Sequence, residues 1–223
     1  QPEEVSRWWI PGQHIAGGEV PTWSGYGHRL HHAMRFGNEL FAAYWHAGVR
    51  ILDASDIRDL KLKGEFEYHP PITVPSHTIV PVPVRHNGNQ IAVVVDEEME
   101  HIKGQLHAGL WFFDIEDRAE IKPISVFHLS ERDSPFAASG LRFGAHQFQE
   151  HVNGDIIYCA WFSGGLRMID IKDPAAPTEV GWFIPEPPAG YAAPQSNDVF
   201  VDERGLVYLI DRNNGLDIME PSI

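Results

Sequence analysis

Apolar residues in this chain fall in short bursts rich in Val, Ile, Phe, Tyr and Trp, separated by Gly, Pro, Asn and Asp. Helical spacing is nearly absent, so the pattern predicts strands joined by tight turns. Four bursts share one order: a glycine, a short apolar strand, then an acidic residue. They are Gly48-Val49-Arg50-Ile51-Leu52-Asp53, Gly109-Leu110-Trp111-Phe112-Phe113-Asp114, Gly165-Leu166-Arg167-Met168-Ile169-Asp170 and Gly215-Leu216-Asp217-Ile218-Met219-Glu220. The copies lie about 50 to 60 residues apart, which points to a supersecondary unit repeated in tandem.

The third unit is the clearest. A strand over 146–151 meets the hairpin turn Asn153-Gly154-Asp155, and a second strand covers 156–162. A third runs over 166–171, Asp173-Pro174-Ala175-Ala176-Pro177 turns the chain, and an outer strand follows at 180–184. Four antiparallel strands in such a unit make a propeller blade. The predicted fold is therefore an all-β propeller of four-stranded antiparallel blades. Its blades lie at 28–70, 76–130 with an insertion at 97–108, 144–186, and an incomplete one at 196–223. Residues 1–12 read like the outer strand at 177–185. That allows two organisations: a ring of four closed by the N-terminal strand, or part of a larger propeller whose remaining blades sit on a second chain. The second is favoured, because larger propellers are the commoner form.

Gly165-Leu166-Arg167-Met168-Ile169-Asp170-Ile171-Lys172-Asp173-Pro174-Ala175-Ala176-Pro177 resembles the LVIVD-repeat family of bacterial β-propellers. Val49-Arg50-Ile51-Leu52-Asp53-Ala54-Ser55-Asp56 is similar. The resemblance covers nearly the whole chain as repeats. It implies the fold and little about function. Selenium-binding, methanethiol oxidase and carotenoid oxygenase propellers are looser likenesses, with no long motif shared. They imply a precedent for histidine-bound metal near a propeller axis.

Among 223 residues, 17 Lys and Arg stand against 31 Asp and Glu, a net charge of -14 that repels phosphate backbones and anionic lipid. Nucleic acid and membrane are thus not expected partners. No apolar stretch approaches the roughly 20 residues of a membrane span. The one cysteine, Cys159, lies in the apolar run Ile156-Ile157-Tyr158-Cys159-Ala160 and reads as a buried strand residue. So few cysteines fit a cytoplasmic location. The histidines are the anomaly: there are 13.

Aligning the units on their hairpins puts His32, His77, His146 and Asn197 at the head of the innermost strands, with His31 competing with His32 for the first place. Innermost strands line a propeller's channel, so these residues are expected to meet on one rim. Three converging imidazoles suit a transition metal, Fe or Cu ahead of Zn or Mn, with positions open for substrate. Asn197 would serve as a weak ligand or hold a bound water. The plainer alternative is a channel whose histidines bind only water and carbonyls.

The insertion of blade two is a long excursion in a compact fold, and such loops carry function or disorder. Glu97 or Glu98 there could act as general base or further ligand, and His101 as ligand or acid–base group; a solvated acidic loop is the alternative. Asp53, Asp114 and Asp170 belong to the repeat and should cap turns. Most tryptophans should fill the space between blades. Trp23 and Tyr26 instead sit in a Gly/Pro-rich connector that, with those at 130–143 and 185–194, could wall a pocket. The expectation is a metal-dependent enzyme acting on a small organic molecule, leaning to an oxidoreductase over a hydrolase or lyase. A non-catalytic scaffold binding a protein or ligand on its top face is the competing expectation.

Overall fold

The computed structural model describes residues 1–25 and 27–222; Tyr26, named above as a pocket wall, lies outside them. The chain is a four-bladed β-propeller. Blade one comprises β1 (His32–Phe36), β2 (Glu39–Ala43), β3 (Val49–Asp53) and β4 (Lys61–Phe66), hydrogen-bonded in that order. Blade two comprises β5 (Ser76–His86), β6 (Asn89–Asp96), β7 (Leu110–Asp114) and β8 (Lys122–Phe127). Blade three comprises β9 (Ala145–Phe148), β10 (Ile156–Trp161), β11 (Gly165–Asp170) and β12 (Thr178–Phe183). Blade four has β13 (Ser196–Val201), β14 (Val207–Asp211) and β15 (Gly215–Met219). Every pairing is antiparallel.

Blades stack because their middle strands are apolar on both faces. In β6, Ala92 and Val94 pack with Phe41, Ile51 and Phe113 toward blade one. Ile91, Val93 and Val95 pack with Phe148 and Trp161 toward blade three. Alternate residues of a strand point to opposite faces, so a continuous apolar run serves two interfaces. Ala160, Leu166, Val199, Val207 and Leu209 join blades three and four. The fourth blade buries one face only: Phe200, Ile210, Leu216 and Ile218 are exposed.

The acidic residue of the repeat is structural. Asp53, Asp114 and Asp170 each accept the backbone N–H two residues on, at 2.8, 3.0 and 2.8 Å. The side chain thereby fixes the turn after the third strand. A register shift then recurs between third and fourth strands, at Ile51/Leu52, Phe112/Phe113 and Met168/Ile169.

Residues 1–12 form no strand, in contrast to the outer strand expected there. Trp8 and Ile10 lie instead on Ala42, Tyr44 and Ala47 of blade one, Trp8 edge-on to Tyr44 at 5.8 Å. Their apolar side chains find a ready-made surface there, without ladder bonding. Cys159 is buried in β10, and burial pushes its thiol up, which keeps it inert. Among the described residues no helix is long and apolar enough to cross a membrane.

Candidate metal centre

Strand register identifies which residues are equivalent between blades. The residue pairing both the head of the third strand and the inner strand is Ala43 in blade one, Val95 in two, Ala160 in three and Ile210 in four. Its inner-strand partners are His32, Thr78, Gln147 and Asp198. One residue earlier stand His31, His77, His146 and Asn197. The last three sit where the register skips, between Ser76 and Thr78, between Ala145 and Gln147, and between Ser196 and Asp198. Such a bulge re-aims a side chain. His31, whose N–H bonds the Ala43 carbonyl at 2.9 Å, holds the same place in blade one.

His32, expected as a ligand, is therefore one position past the equivalent site. A one-residue step along a strand turns the side chain to the other face. His32 Nε2 lies 3.1 Å from Glu150 Oε1 and takes no part in the cluster. His31 replaces it, its ring centroid 3.9 Å from that of His77, which lies 4.4 Å from that of His146. Ligand atoms of His31, His77 and Glu97 all lie within 4.8 Å of one another. Among the described residues no other group of three such side chains comes as close. His146 joins at the edge, its Nε2 3.5 Å from Glu97 Oε1. Asn197 contributes backbone rather than side chain: its carbonyl accepts from His146 Nδ1, and Arg212 Nε donates to its Oδ1.

The tautomers follow from the partners. A carbonyl can only accept, so the Nδ1 atoms of His31, on the His77 carbonyl at 3.1 Å, and of His146, on that of Asn197, carry the protons. His77 Nδ1 lies 3.0 Å from Thr78 Oγ1. In the neutral His31 ring Nε2 then carries the lone pair, the arrangement that orients metal-binding histidines, whereas the Thr78 hydroxyl can donate or accept and does not fix the His77 tautomer. Burial, reinforced by the charges of His146 and His31, lowers the His77 pKa to about 2. Burial also lowers that of His31. For Glu97 burial acts upward but is outweighed by the His146 hydrogen bond and charge, so its carboxyl stays below the usual range. His31 and His77, kept neutral by burial, form with the ionised Glu97 a donor set for a cation.

A second set of equivalent positions surrounds the first. Two places beyond Ala43, Val95, Ala160 and Ile210 come Trp45, Glu97, Phe162 and Arg212. Trp45 lies 6.4 Å from His31 and Phe162 4.8 Å from His146, ring to ring. Trp45 adopts φ 43°, a left-handed value that a bulky side chain holds only under tight constraint. Arg29 lies over Trp45 at 5.3 Å, Arg142 over Phe162 at 3.9 Å, and Arg212 over Phe162 at 5.6 Å. Burial and the neighbouring Arg212 charge hold the Arg142 guanidinium below its usual value. In the connector before blade one, Trp23 stacks on His28 at 4.2 Å.

The insertion divides in two. Glu97 reaches the cluster, whereas the next side chain, Glu98, turns away. Its oxygens accept the backbone N–H groups of Phe143 and Gly144 at 3.0 and 2.8 Å. They also meet His107 Nδ1 at 2.6 Å and His101 Nδ1 at 3.9 Å. His101 and His107 line a separate 850 Å³ cavity with Glu131 and Leu106. Glu98 and His101, expected as catalytic groups, thus stand apart from the histidine cluster. His31, Arg142 and Phe162 are the cluster members that the sequence reading left unassigned; the register signal for His31 was present but ambiguous by one residue.

Fold and site together define a β-propeller with a histidine and carboxylate cluster where its inner strands begin. Residues 151–184 match the LVIVD repeat family, so the chain carries at least this one LVIVD repeat in blade three. No curated protein matches the sequence. Among solved structures, the computationally designed Ika4 protein superposes with TM-score 0.51 at 7% identity, over 90% of this chain and 96% of its own. The calcium-binding protein regucalcin from Agrobacterium tumefaciens gives 0.46 at 14% identity, over 93% of this chain and 65% of its own. Apo AztD from Citrobacter koseri gives 0.43 at 15%, over 87% and 45%. At such identities the likeness concerns the fold alone.

Proposed function

We propose that this propeller is a metal-dependent enzyme acting on a small organic molecule at its axis. The observation that carries the reading is the trio of equivalent imidazoles, each with Nδ1 against a protein oxygen, gathered round an ionised Glu97. Two histidines and a carboxylate with open positions suit Fe(II), and the same set can take Zn; Cu and Mn are further candidates. A metal so held would supply Lewis-acid or redox chemistry. The chain's own part is to orient the donors, keep them unprotonated and shape the rim with Trp45 and Phe162. Oxidoreductase chemistry is the preferred reading, since two histidines and a carboxylate hold iron in oxygen-activating non-haem sites; around Zn the same set would serve hydrolysis.

The test is elemental analysis of protein grown with Fe, Cu, Zn and Mn supplied. Stoichiometric metal in the wild type, lost in His77→Ala and in Glu97→Gln, is expected. A metal-free wild type removes the enzyme reading.

A second reading has its own observation. Among the described residues three blades close with a fourth strand, whereas β15 is an edge that carries exposed Leu216 and Ile218 beside a 220 Å³ groove lined by Met168, Trp182 and Met219. Unpaired edges accept strands from other chains. In this reading a second polypeptide adds a strand, or further blades, to blade four. Native mass spectrometry of the chain against an Ile218→Lys variant decides it: an assembly lost in the variant supports the reading, and a monomer in both sinks it.

A further inference from the structure

The arginines of this chain divide into two kinds. Arg7, Arg50, Arg85, Arg118, Arg167 and Arg204 each have a carboxylate oxygen within 3.3 Å. With 31 acidic residues against 17 basic ones, partners are plentiful. Arg29, Arg35, Arg58, Arg132, Arg142 and Arg212 have none so close, and of these Arg142 and Arg212 stand together at the histidine cluster. The nearest carboxylate to Arg142 is Glu97 at 3.9 Å, beyond hydrogen bonding. Arg212 spends only its Nε, on Asn197 Oδ1. Among the described residues the terminal nitrogens of both guanidinium groups have no hydrogen-bond acceptor.

These two cations share one platform, the buried ring of Phe162, which also touches His146. Holding like charges together costs energy, and the backbone is built to do it. The Arg142 carbonyl accepts from Ser163 N at 3.1 Å and Gln195 Nε2 at 3.0 Å, and Arg212 N donates to the Gln195 carbonyl at 3.1 Å. Gln195 is itself buried and anchored by Asp211 Oδ2 at 2.6 Å. A guanidinium stacked on an aromatic face keeps its in-plane N–H donors free, and their fork matches an oxyanion.

We propose that the molecule taken up beside the metal centre is a small organic acid, its carboxylate held by Arg142 and Arg212 at Phe162. Its role as substrate rests on the metal reading above; its binding does not. A carboxylate is preferred to a phosphate because Glu97, next to Arg142, would repel two negative charges concentrated on one group.

Calorimetric titration of the full chain, metal-loaded and EDTA-stripped, tests this with succinate, inorganic phosphate and uncharged succinamide as probes. Succinate should bind in both states and succinamide in neither. Arg142→Gln and Arg212→Gln should each weaken succinate about tenfold, as expected for losing a hydrogen bond to a charged group, with metal content unchanged. Arg212 is exposed, so its replacement leaves the core intact. Arg142→Lys, which keeps charge but loses the fork, should recover affinity only in part. Wild type that ignores succinate, variants that bind it equally, or a preference for phosphate each overturn the assignment. Succinate binding that depends on both arginines in a chain that never takes up metal upholds the carboxylate site and overturns the metal reading instead.

Discussion

His107 Nδ1 lies 2.6 Å from Glu98 Oε2, and this pair ties the long loop of blade two to the start of blade three, where Glu98 also holds Phe143 N and Gly144 N. The other ring nitrogen of His107 reaches Glu131 Oε1 at 3.0 Å, so one imidazole spans two carboxylates.

That bridge makes stability depend on pH in a definite direction. The Glu98 hydrogen bond raises the His107 pKa above its ordinary 6.5, with burial opposing and Glu131 assisting. A raised histidine stabilises fully below the unfolded value, and its contribution is lost as pH rises through the folded one. The buried neutral histidines, His77 and His69 above all, act oppositely, losing their contribution as pH falls. The difference between wild type and His107→Gln isolates the first effect. Melting curves across neutral pH should show the wild-type advantage shrinking as pH rises above 6.5. An advantage that grows with pH contradicts the bridge.

Glu98 is expected to matter for folding rather than chemistry. Glu98→Ala leaves two buried backbone N–H groups without acceptors, a cost of about 2–3 kcal/mol. Glu98→Gln should recover little, since each oxygen serves a different N–H and an amide nitrogen cannot accept. Urea titration measures both, and a Glu98→Gln protein as stable as wild type would show that the oxygens are not both needed.

Neighbouring histidines should behave differently. His31→Ala is expected to weaken metal binding at least about tenfold, and Thr78→Val by about tenfold through loss of the His77 partner. His32→Ala, which breaks only the contact with Glu150, should leave metal affinity unchanged. Competition against a chromophoric chelator reads all three. Equal losses at positions 31 and 32 would contradict the register derived from the strands.

Gly64 in β4 lies directly against the Arg118 backbone of blade two. A Cβ there would overlap the Arg118 carbonyl, which is backbone and cannot swing aside. Gly64→Ala should destabilise by about 1–3 kcal/mol, the range of overpacked sites. A thermal shift of several degrees in the Ala variant is the expected result, and none at all would mean the two blades part easily.

Much of the fold could be read from local pattern. The Gly–strand–acid repeat and the two-faced apolar runs are short-range signals, and each blade is formed from neighbours in the chain. That His77, His146 and Glu97 come together was legible, because the repeat aligns the histidines and the insertion displays the carboxylate. The site was ambiguous at His31 against His32, since a bulge is set by pairing and leaves no mark in composition. Glu98 reads like Glu97 in sequence, yet one faces the histidines and the other caps Phe143 and Gly144.

The order of residues by itself determined that this chain makes antiparallel blades and which segments form them, because strand periodicity and turn chemistry are local. Only the tertiary structure decided which imidazoles meet, that two unpaired guanidinium groups share the Phe162 ring beside them, and that Glu98 and His101 lie elsewhere. Those outcomes depend on one-residue shifts between strands of different blades and on contacts between distant loops, and neither is encoded in the identity of any single segment.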